Sequence, residues 1–210
     1  MQLRLNVVGS TGLGSRLLFL VHGFGADEHD LAPLAQVIDP DGRFFVVCPR
    51  GPLEVEPYGG ASWYDFTDHG ADPATFQGSL IALDHAVDSI CQARGLDRSR
   101  AVFAGFSQGG SMVLALSLRQ SSKARPAAVA SLSGFLAQPD WLDYAWDAPD
   151  LPPAYVQHGT YDPMLPVERG RASAQTLADH GLRVEWHEYP MQHEIRPESI
   201  TDLRAFLREV

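Results

Sequence analysis

Short apolar runs alternate with longer stretches of helical period along most of the chain. The central apolar runs are nearly continuous, which is typical of strands that are buried on both faces. Strands are predicted at Arg16 to Val21, Arg43 to Val47, Arg100 to Ala104, Ala127 to Leu132, Ala154 to Gln157 and Arg183 to Glu188. Leu3 to Val8 alternates apolar and polar residues and is a candidate for an antiparallel edge strand.

The stretches between these runs have the period of amphipathic helices. In one of them Leu80, Leu83, Val87 and Ile90 recur at steps of three and four residues and form one apolar stripe. Helices are predicted at Glu28 to Val37, Thr75 to Ala93, Gly109 to Leu118, Val167 to His180 and Glu198 to Leu207. The alternation predicts an α/β fold, a mostly parallel central sheet with helices on both faces.

Two segments interrupt the alternation. Pro49 to Ala74 is rich in Gly, Pro and aromatic residues, and Ser133 to Pro153 carries aromatic residues among prolines. Loops of this length are uncommon unless they shape a site. Strands, helices and these two loops account for nearly all of the chain, so we expect one domain over residues 1–210 without a separate cap domain.

Composition and charge narrow the function classes. Of the 210 residues, 45% are hydrophobic and 20% are charged, as in ordinary globular proteins. The formal net charge of −10 disfavours nucleic acid and stable association with anionic membranes. The N-terminus lacks a long apolar run, which makes a cytoplasmic location the default expectation. Cys48 and Cys91 have no metal-ligand spacing and are expected to be buried, reduced thiols.

The most informative stretch is the pentapeptide that runs from Gly105 to Gly109, with Ser107 at its centre. It lies between a predicted strand and a predicted helix, which is the setting of a nucleophilic serine on a sharp, strained turn. Glycines two residues to either side let the backbones pass closely. The N–H groups at the start of the following helix would stabilise the oxyanion that forms when Ser107 attacks an ester carbonyl.

A nucleophilic serine needs a base, and the base needs a carboxylate that orients it. Asp162 and His193 follow Ser107 in the order that hydrolases of this kind use. Each is predicted on a loop just after the carboxyl end of a strand, at the sheet edge where Ser107 also lies. The three residues are therefore the candidate catalytic group.

A second donor to the oxyanion is expected from the loop His22-Gly23-Phe24-Gly25, which follows an apolar strand and precedes a helix. The backbone N–H groups of Phe24 and Gln108 would converge on one oxygen. His22 is interpreted as a structural residue of this loop and not as a base.

Taken together, these motifs resemble the phospholipase/carboxylesterase family, the small lidless α/β-hydrolases that include bacterial carboxylesterases and acyl-protein thioesterases. The resemblance covers nearly the whole chain, from about residue 15 to the end. The motifs that carry it are His22-Gly23-Phe24-Gly25-Ala26-Asp27, Pro49-Arg50-Gly51-Pro52, Ser62-Trp63-Tyr64-Asp65, Gly105-Phe106-Ser107-Gln108-Gly109-Gly110, His158-Gly159-Thr160-Tyr161-Asp162-Pro163 and Met191-Gln192-His193-Glu194-Ile195.

The resemblance implies a catalytic triad of Ser107, Asp162 and His193 and an oxyanion hole made by the amides of Phe24 and Gln108. It implies acyl pockets lined from the two aromatic loops, and it implies that no metal or organic cofactor is required and that a homodimer is possible. The family usually carries a glycine just before the catalytic histidine. Gln192 stands there in this chain, so we expect an amide side chain near the mouth of the site. The residues expected to contact substrate are Trp63, Phe135 and Met164.

The leading hypothesis is a serine carboxylesterase that hydrolyses small-molecule esters of short- to medium-chain acids through an acyl-serine intermediate. An acyl-protein thioesterase, acyl-CoA thioesterase or lysophospholipase would use the same groups. A catalytically inactive binding module of the same fold is a remote alternative, which predicts a broken triad. The net charge of −10 favours soluble esters over anionic lipid surfaces.

Overall fold

A twisted sheet forms the centre of the computed structural model, which describes residues 2–8, 16–57, 59–68, 70–121 and 123–210. Within these residues the sheet has seven strands in the spatial order β1-β3-β2-β4-β5-β6-β7. In chain order the strands are β1 (Leu5–Val8), β2 (Arg16–Val21), β3 (Phe44–Pro49), β4 (Val102–Phe106), β5 (Ala128–Leu132), β6 (Ala154–Gly159) and β7 (Val184–Tyr189). Only β1 pairs antiparallel, with β3, and the other pairs are parallel, as predicted.

Five α-helices in the described residues match the predicted ones in position. They are α1 (Ala32–Ile38), α2 (Pro73–Arg94), α3 (Gln108–Leu118), α4 (Val167–Asp179) and α5 (Pro197–Glu209). The largest error concerns α1, which begins at Ala32 and not at Glu28. The Asp27 carboxylate accepts the backbone N–H of His29 at 2.8 Å, and such a local side-chain bond competes with helix formation.

Side chains of β2 alternate between two apolar cores, one on each face of the sheet. Leu17 and Phe19 point into the core that α2, α3 and α4 cover. Leu18 and Leu20 point into the core that α1 and α5 cover. The near-continuous apolar run of this strand is therefore explained by burial on both faces.

The parallel arrangement brings the candidate residues to one edge of the sheet. Ser107 follows the carboxyl end of β4, Asp162 follows β6, and His193 follows β7. The loop at residues 22–25 follows β2, the parallel neighbour of β4. Consecutive parallel strands end at the same edge, so four loops that are distant in sequence meet there.

The two irregular segments pack against each other beside this edge. The first contains two short hairpins, one between Leu53–Val55 and Gly60–Ser62 and one between Phe66–Thr67 and Gly70–Ala71. Tyr58 and His69 of this segment lie outside the described residues. The ring of Phe76 on α2 joins the two segments, with its centroid 5.0 Å from the Tyr64 ring and 5.4 Å from the Trp141 ring.

Cys48 and Cys91 are buried free thiols, as predicted. No helix among the described residues is long and apolar enough to cross a membrane. Within the same residues, no group of three or more His, Cys, Asp or Glu side chains is arranged to hold a metal ion.

A cluster of charged side chains links α2 to the segment before β4 and to the segment after α3. The Asp84 carboxylate, 7% exposed, lies 2.6 Å from Arg98, 2.6 Å from Arg119 and 2.8 Å from Lys123. Asp88, one turn later on the helix, lies 2.6 Å from Arg98 and 2.5 Å from Lys123, but its side chain is 41% exposed. The buried Asp84 carboxylate therefore forms ion pairs with three cations, and the more exposed Asp88 forms ion pairs with two of them.

We expect Asp84→Ala to lower the free energy of unfolding by about 2–4 kcal/mol, because it leaves the mostly buried guanidinium of Arg119 without its ion-pair partner. Asp88→Ala, a matched change on the same helix, should cost less than about 1 kcal/mol since its ion pairs are solvent-screened. Urea unfolding of the two variants measures the difference. Equal losses for both variants would contradict the central position of Asp84.

Candidate active site

Ser107 occupies a strained turn between β4 and α3. Its backbone angles are φ 53° and ψ −118°, a region that side-chain-bearing residues rarely adopt. A Cβ atom at Gly105 would lie 2.4 Å from the carbonyl carbon of Gly109, and one at Gly109 would lie 2.1 Å from the carbonyl oxygen of Val21. Glycine at both positions is therefore required by close backbone contacts, as the motif predicts.

Three predicted residues form a hydrogen-bonded series. His193 Nε2 lies 2.8 Å from Ser107 Oγ, and His193 Nδ1 lies 2.6 Å from Asp162 Oδ2. An ionised carboxylate only accepts hydrogen bonds, so Nδ1 carries the proton and Nε2 is free to accept the serine hydroxyl. This is the arrangement in which an imidazole can remove the proton from a serine.

The carboxylate of Asp162 is held by more than the imidazole. Its side chain is fully buried, and its Oδ1 accepts the backbone N–H groups of Met164 at 2.8 Å and Leu165 at 2.9 Å. Burial by itself raises the pKa of Asp162, but the hydrogen bonds from His193 and the two amides outweigh it and leave the pKa below its usual value. Asp162 is therefore kept ionised.

His158, four residues before Asp162, supports the same carboxylate. Its ring is fully buried, and Nε2 lies 2.8 Å from the carbonyl oxygen of Leu165 and 3.3 Å from Asp162 Oδ2. Burial lowers the pKa of His158, which favours a neutral ring whose Nε2–H donates to that carbonyl. The sequence motif that contains His158 does not predict this role. The sequence signal for this role is that His158 stands four residues before Asp162 in the same motif.

The loop at residues 22–25 lies directly against the serine turn. A Cβ atom at Gly23 would stand 3.3 Å from Ser107 Cβ, and the N–H of Gly25 donates to the Ala61 carbonyl at 2.8 Å. Among the described residues, no hydrogen-bond acceptor is found for the backbone N–H of Phe24 or of Gln108. Both predicted oxyanion donors therefore belong to segments that meet at Ser107.

The neutral imidazole of His22 holds this loop in place through two hydrogen bonds. Its Nε2 accepts the backbone N–H of Gly51 at 2.9 Å, so its Nδ1 carries the proton and donates to the Gly23 carbonyl at 2.7 Å. Burial lowers the pKa of His22, which favours this uncharged ring. His22 is thus a structural residue of the loop, as the sequence indicated.

The side chain of Gln108 ties the serine turn to the first aromatic segment. Its Oε1 accepts the N–H of Trp63 at 2.8 Å, and its Nε2 donates to the Tyr64 carbonyl at 2.8 Å. The indole N–H of Trp63 in turn donates to the carbonyl of His22 at 2.9 Å. The sequence predicts a role only for the backbone N–H of Gln108, as an oxyanion donor. The role of the buried side chain in joining the two segments was not predicted.

The prediction that Trp63 contacts substrate is corrected by its position. The side chain is 0% exposed, and its one polar atom is taken by His22. Trp63 therefore supports the loops from beneath and does not line an open surface. Its place in an aromatic loop suggested contact with substrate, but burial depends on tertiary packing that local composition does not specify.

The other proposed contacts are closer to open space. Phe135 is half-buried and lines a cavity beside the site, and Met164 is 75% exposed two residues after Asp162. Gln192 is exposed and adjoins His193, as expected for a side chain near the mouth. The roles of Phe135 and Met164 in substrate binding stay predictions.

Two cavities lie near the candidate site, one bordered by His193 itself and the other by the two aromatic segments. The first, of about 410 Å³, is lined by Asp30, Leu31, Pro33, Leu34, Val37, Phe106, His193, Glu194, Ile195 and Ile200. The second, of about 390 Å³, is lined by Tyr64, Phe66, Gly70, Ala71, Phe135, Ala137, Gln138, Pro139, Trp141, Leu165 and Arg169. We name the first the histidine-side cavity and the second the aromatic cavity.

Comparison with known proteins agrees with this geometry. Acyl-protein thioesterase 1 of Gibberella zeae is 30% identical over 91% of this chain and 89% of its own length. Lysophospholipase-like protein 1 of Mus musculus is 27% identical over 96% and 89%. The crystal structure of esterase PE8 superimposes with a TM-score of 0.85 at 25% identity and covers all of both chains.

A carboxylesterase from Mesorhizobium loti shares the fold with a TM-score of 0.81, over 94% of this chain and 90% of its own, at 24% identity. The family model for phospholipases and carboxylesterases matches residues 5–210. That match includes all the loops that meet at the carboxyl edge of the sheet. The chain belongs to the phospholipase/carboxylesterase family of α/β-hydrolases.

Proposed function

We propose that the protein is a serine carboxylesterase that hydrolyses short- to medium-chain carboxylic esters through an acyl-serine intermediate. The observation that carries the proposal is the hydrogen-bonded series from Ser107 Oγ through His193 to Asp162, at 2.8 Å and 2.6 Å. Such a series raises the nucleophilicity of a serine hydroxyl that is otherwise unreactive.

In the first step Ser107 Oγ attacks the ester carbonyl while His193 Nε2 takes the hydroxyl proton. The imidazolium that forms is stabilised by the Asp162 carboxylate, which already accepts its Nδ1–H. The negative charge moves to the former carbonyl oxygen. The backbone N–H groups of Phe24 and Gln108 are the proposed donors to this oxyanion, and α3 begins at Gln108 with its positive end toward it.

In the second step the bond between the carbonyl carbon and the leaving oxygen breaks. His193 Nε2 returns its proton to that oxygen, so an alcohol departs and the acyl group stays on Ser107. Water then repeats the sequence: its oxygen attacks the acyl carbon, His193 takes its proton, and Ser107 leaves with that proton. The net reaction converts one ester and one water into one acid and one alcohol.

The proton transfer indicates which part of the substrate each cavity would hold. Because His193 must reach the leaving oxygen, the alcohol part lies on the histidine side, beside Phe106 and Ile195. The acyl chain then extends toward the aromatic cavity, between Phe135 and Trp141. A mostly apolar cavity of about 390 Å³ suits short to medium acyl chains.

A thioester hydrolase is the second candidate. Relatives of this chain bear the names acyl-protein thioesterase and lysophospholipase-like protein. A thioester carbonyl would pass through the same steps with a thiolate as leaving group. The net charge of −10 disfavours work on an anionic lipid surface, which places the lysophospholipase activity last. A purely binding role is disfavoured by the intact Ser–His–Asp series.

Replacing the nucleophile tests the proposal directly. We expect Ser107→Ala to lower kcat/KM for 4-nitrophenyl butyrate by about 10⁴-fold or more, because no acyl-serine can form. Ser89→Ala, an exposed serine on α2, is the matched control and should retain full activity. Similar rates for Ser107→Ala and the wild type would sink the assignment of the nucleophile.

Replacing the carboxylate tests the proposed orientation of His193. Asp162→Asn should lower kcat by about 10³–10⁴-fold, because the amide favours the wrong imidazole tautomer. Asp179→Asn, at the exposed end of α4, removes a carboxylate away from the site and serves as the control. Thermal unfolding shows that both variants fold. Unchanged turnover in Asp162→Asn would point to another acid.

A substrate profile separates the two candidates. Among 4-nitrophenyl esters from acetyl to palmitoyl, we expect the highest kcat/KM between butyryl and octanoyl, with palmitoyl lower by about tenfold or more. An S-octanoyl thioester and an octanoyl ester of a matched alcohol are then compared at equal acyl length. A higher kcat/KM for the thioester would favour the thioesterase and overturn the ester preference.

A further inference from the structure

The aromatic cavity contains one charge that the proposed reaction does not use. Among the described residues that line it, Arg169 is the only one with a charged side chain. Its guanidinium carbon stands 4.0 Å from the centroid of the Phe135 ring, a cation–π contact that holds the head group at the cavity wall. The remaining wall is largely aromatic and aliphatic.

Arg169 has no counter-charge in the part of the chain that the structure describes. Across the described ranges of the chain, no carboxylate oxygen lies within 4.0 Å of its guanidinium, and no hydrogen bond engages its side chain. Arg171, two residues later, shows the usual alternative: its guanidinium forms two 2.6 Å hydrogen bonds to Glu188. Arg169 is therefore a cation available to a ligand.

The position of Arg169 on its helix is also unfavourable for folding. It lies in the first turn of α4, which spans Val167–Asp179, where the positive end of the helix dipole repels a cation. Neither an ion pair nor the dipole accounts for an arginine here. Its contact with Phe135 at the cavity wall is the interaction that remains.

Residues that line the aromatic cavity contact three residues of the candidate active site. The N–H of Leu165 donates to Asp162, and the carbonyl of Tyr64 accepts the side chain of Gln108. The ring of Phe66 lies 6.2 Å from the ring of Phe24. Three residues of the cavity wall thus contact residues of the candidate active site.

Phe135 completes that connection. It follows Gly134, where a Cβ atom would lie 2.9 Å from the carbonyl oxygen of Ser107. Phe135, which lies under the guanidinium, is therefore the neighbour in sequence of a residue that packs against the Ser107 turn. An acyl chain on Ser107 that extends past Phe135 would therefore run toward Arg169.

We infer that Arg169 binds a carboxylate at the far end of the acyl chain, so that the preferred substrates are monoesters of dicarboxylic acids. The inference rests on the proposed esterase function and names the substrate class of that same site. The guanidinium offers two parallel N–H donors that match a carboxylate, and the aromatic wall packs against the methylene groups between the two ends. The net charge of −10 repels an anionic substrate, and a cation at the cavity wall offsets that repulsion locally.

A matched pair of substrates isolates the charge. The mono-4-nitrophenyl esters of adipic and suberic acid carry a free carboxylate at the chain end, and their methyl esters carry none at nearly the same length. We expect the wild-type ratio of kcat/KM, free acid over methyl ester, to exceed one for at least one chain length. Arg169→Met should lower that ratio by about tenfold or more and leave the methyl ester within about twofold.

Two further variants complete the test. Arg169→Lys should retain part of the ratio, and Arg171→Met, which removes the same charge from the same helix, should leave it unchanged. A ratio that is the same in Arg169→Met and wild type, or that falls equally in Arg171→Met, would overturn the inference. If the wild type hydrolyses neither member of the pair nor 4-nitrophenyl butyrate, the proposed esterase function itself fails. Hydrolysis of the methyl esters with a ratio below one refutes the role of Arg169 alone.

Discussion

The close passage of backbones around Ser107 is the constraint on which the rest of the site depends. The chain turns from β4 into α3 within one residue, and Gly109 packs against the Val21 carbonyl at the end of β2. A non-glycine residue at φ 53° costs on the order of 1–3 kcal/mol, and the surroundings must stabilise it. They do so through the Ser107 N–H bond to Leu132 at 2.8 Å and through burial of every residue of α3.

The same turn organises its neighbours through one amide side chain. Gln108 binds the backbone on both sides of the Trp63–Tyr64 peptide, and the indole of Trp63 reaches the carbonyl of His22. The serine turn, the loop at residues 22–25 and the first aromatic segment thereby share one buried hydrogen-bond network. Leaving one of these buried groups unsatisfied costs about 1–3 kcal/mol, so the three loops hold a single arrangement.

The contrast between Ser107 and Arg169 shows what sequence can and cannot predict here. Ser107, Asp162 and His193 were predictable because a parallel sheet brings successive carboxyl ends together and because the glycine spacing reflects a local steric need. Arg169 has no ion-pair partner among the described residues, and this, like the burial of Trp63, depends on which side chains distant segments place nearby. The late start of α1 reflects a local competitor, the Asp27 carboxylate, that periodicity does not weigh.

Each cavity is lined in part by one of the two buried cores, and this bears on how substrate preference can change. Leu31 and Leu34 of the histidine-side cavity also belong to the buried core under α1. A substitution there alters core packing and costs stability. The same holds for the aromatic cavity, because Tyr64 is buried in the other core and Phe135 packs against it. Arg169 is not part of that core, so the charge at this wall is more easily varied than the shape of either cavity.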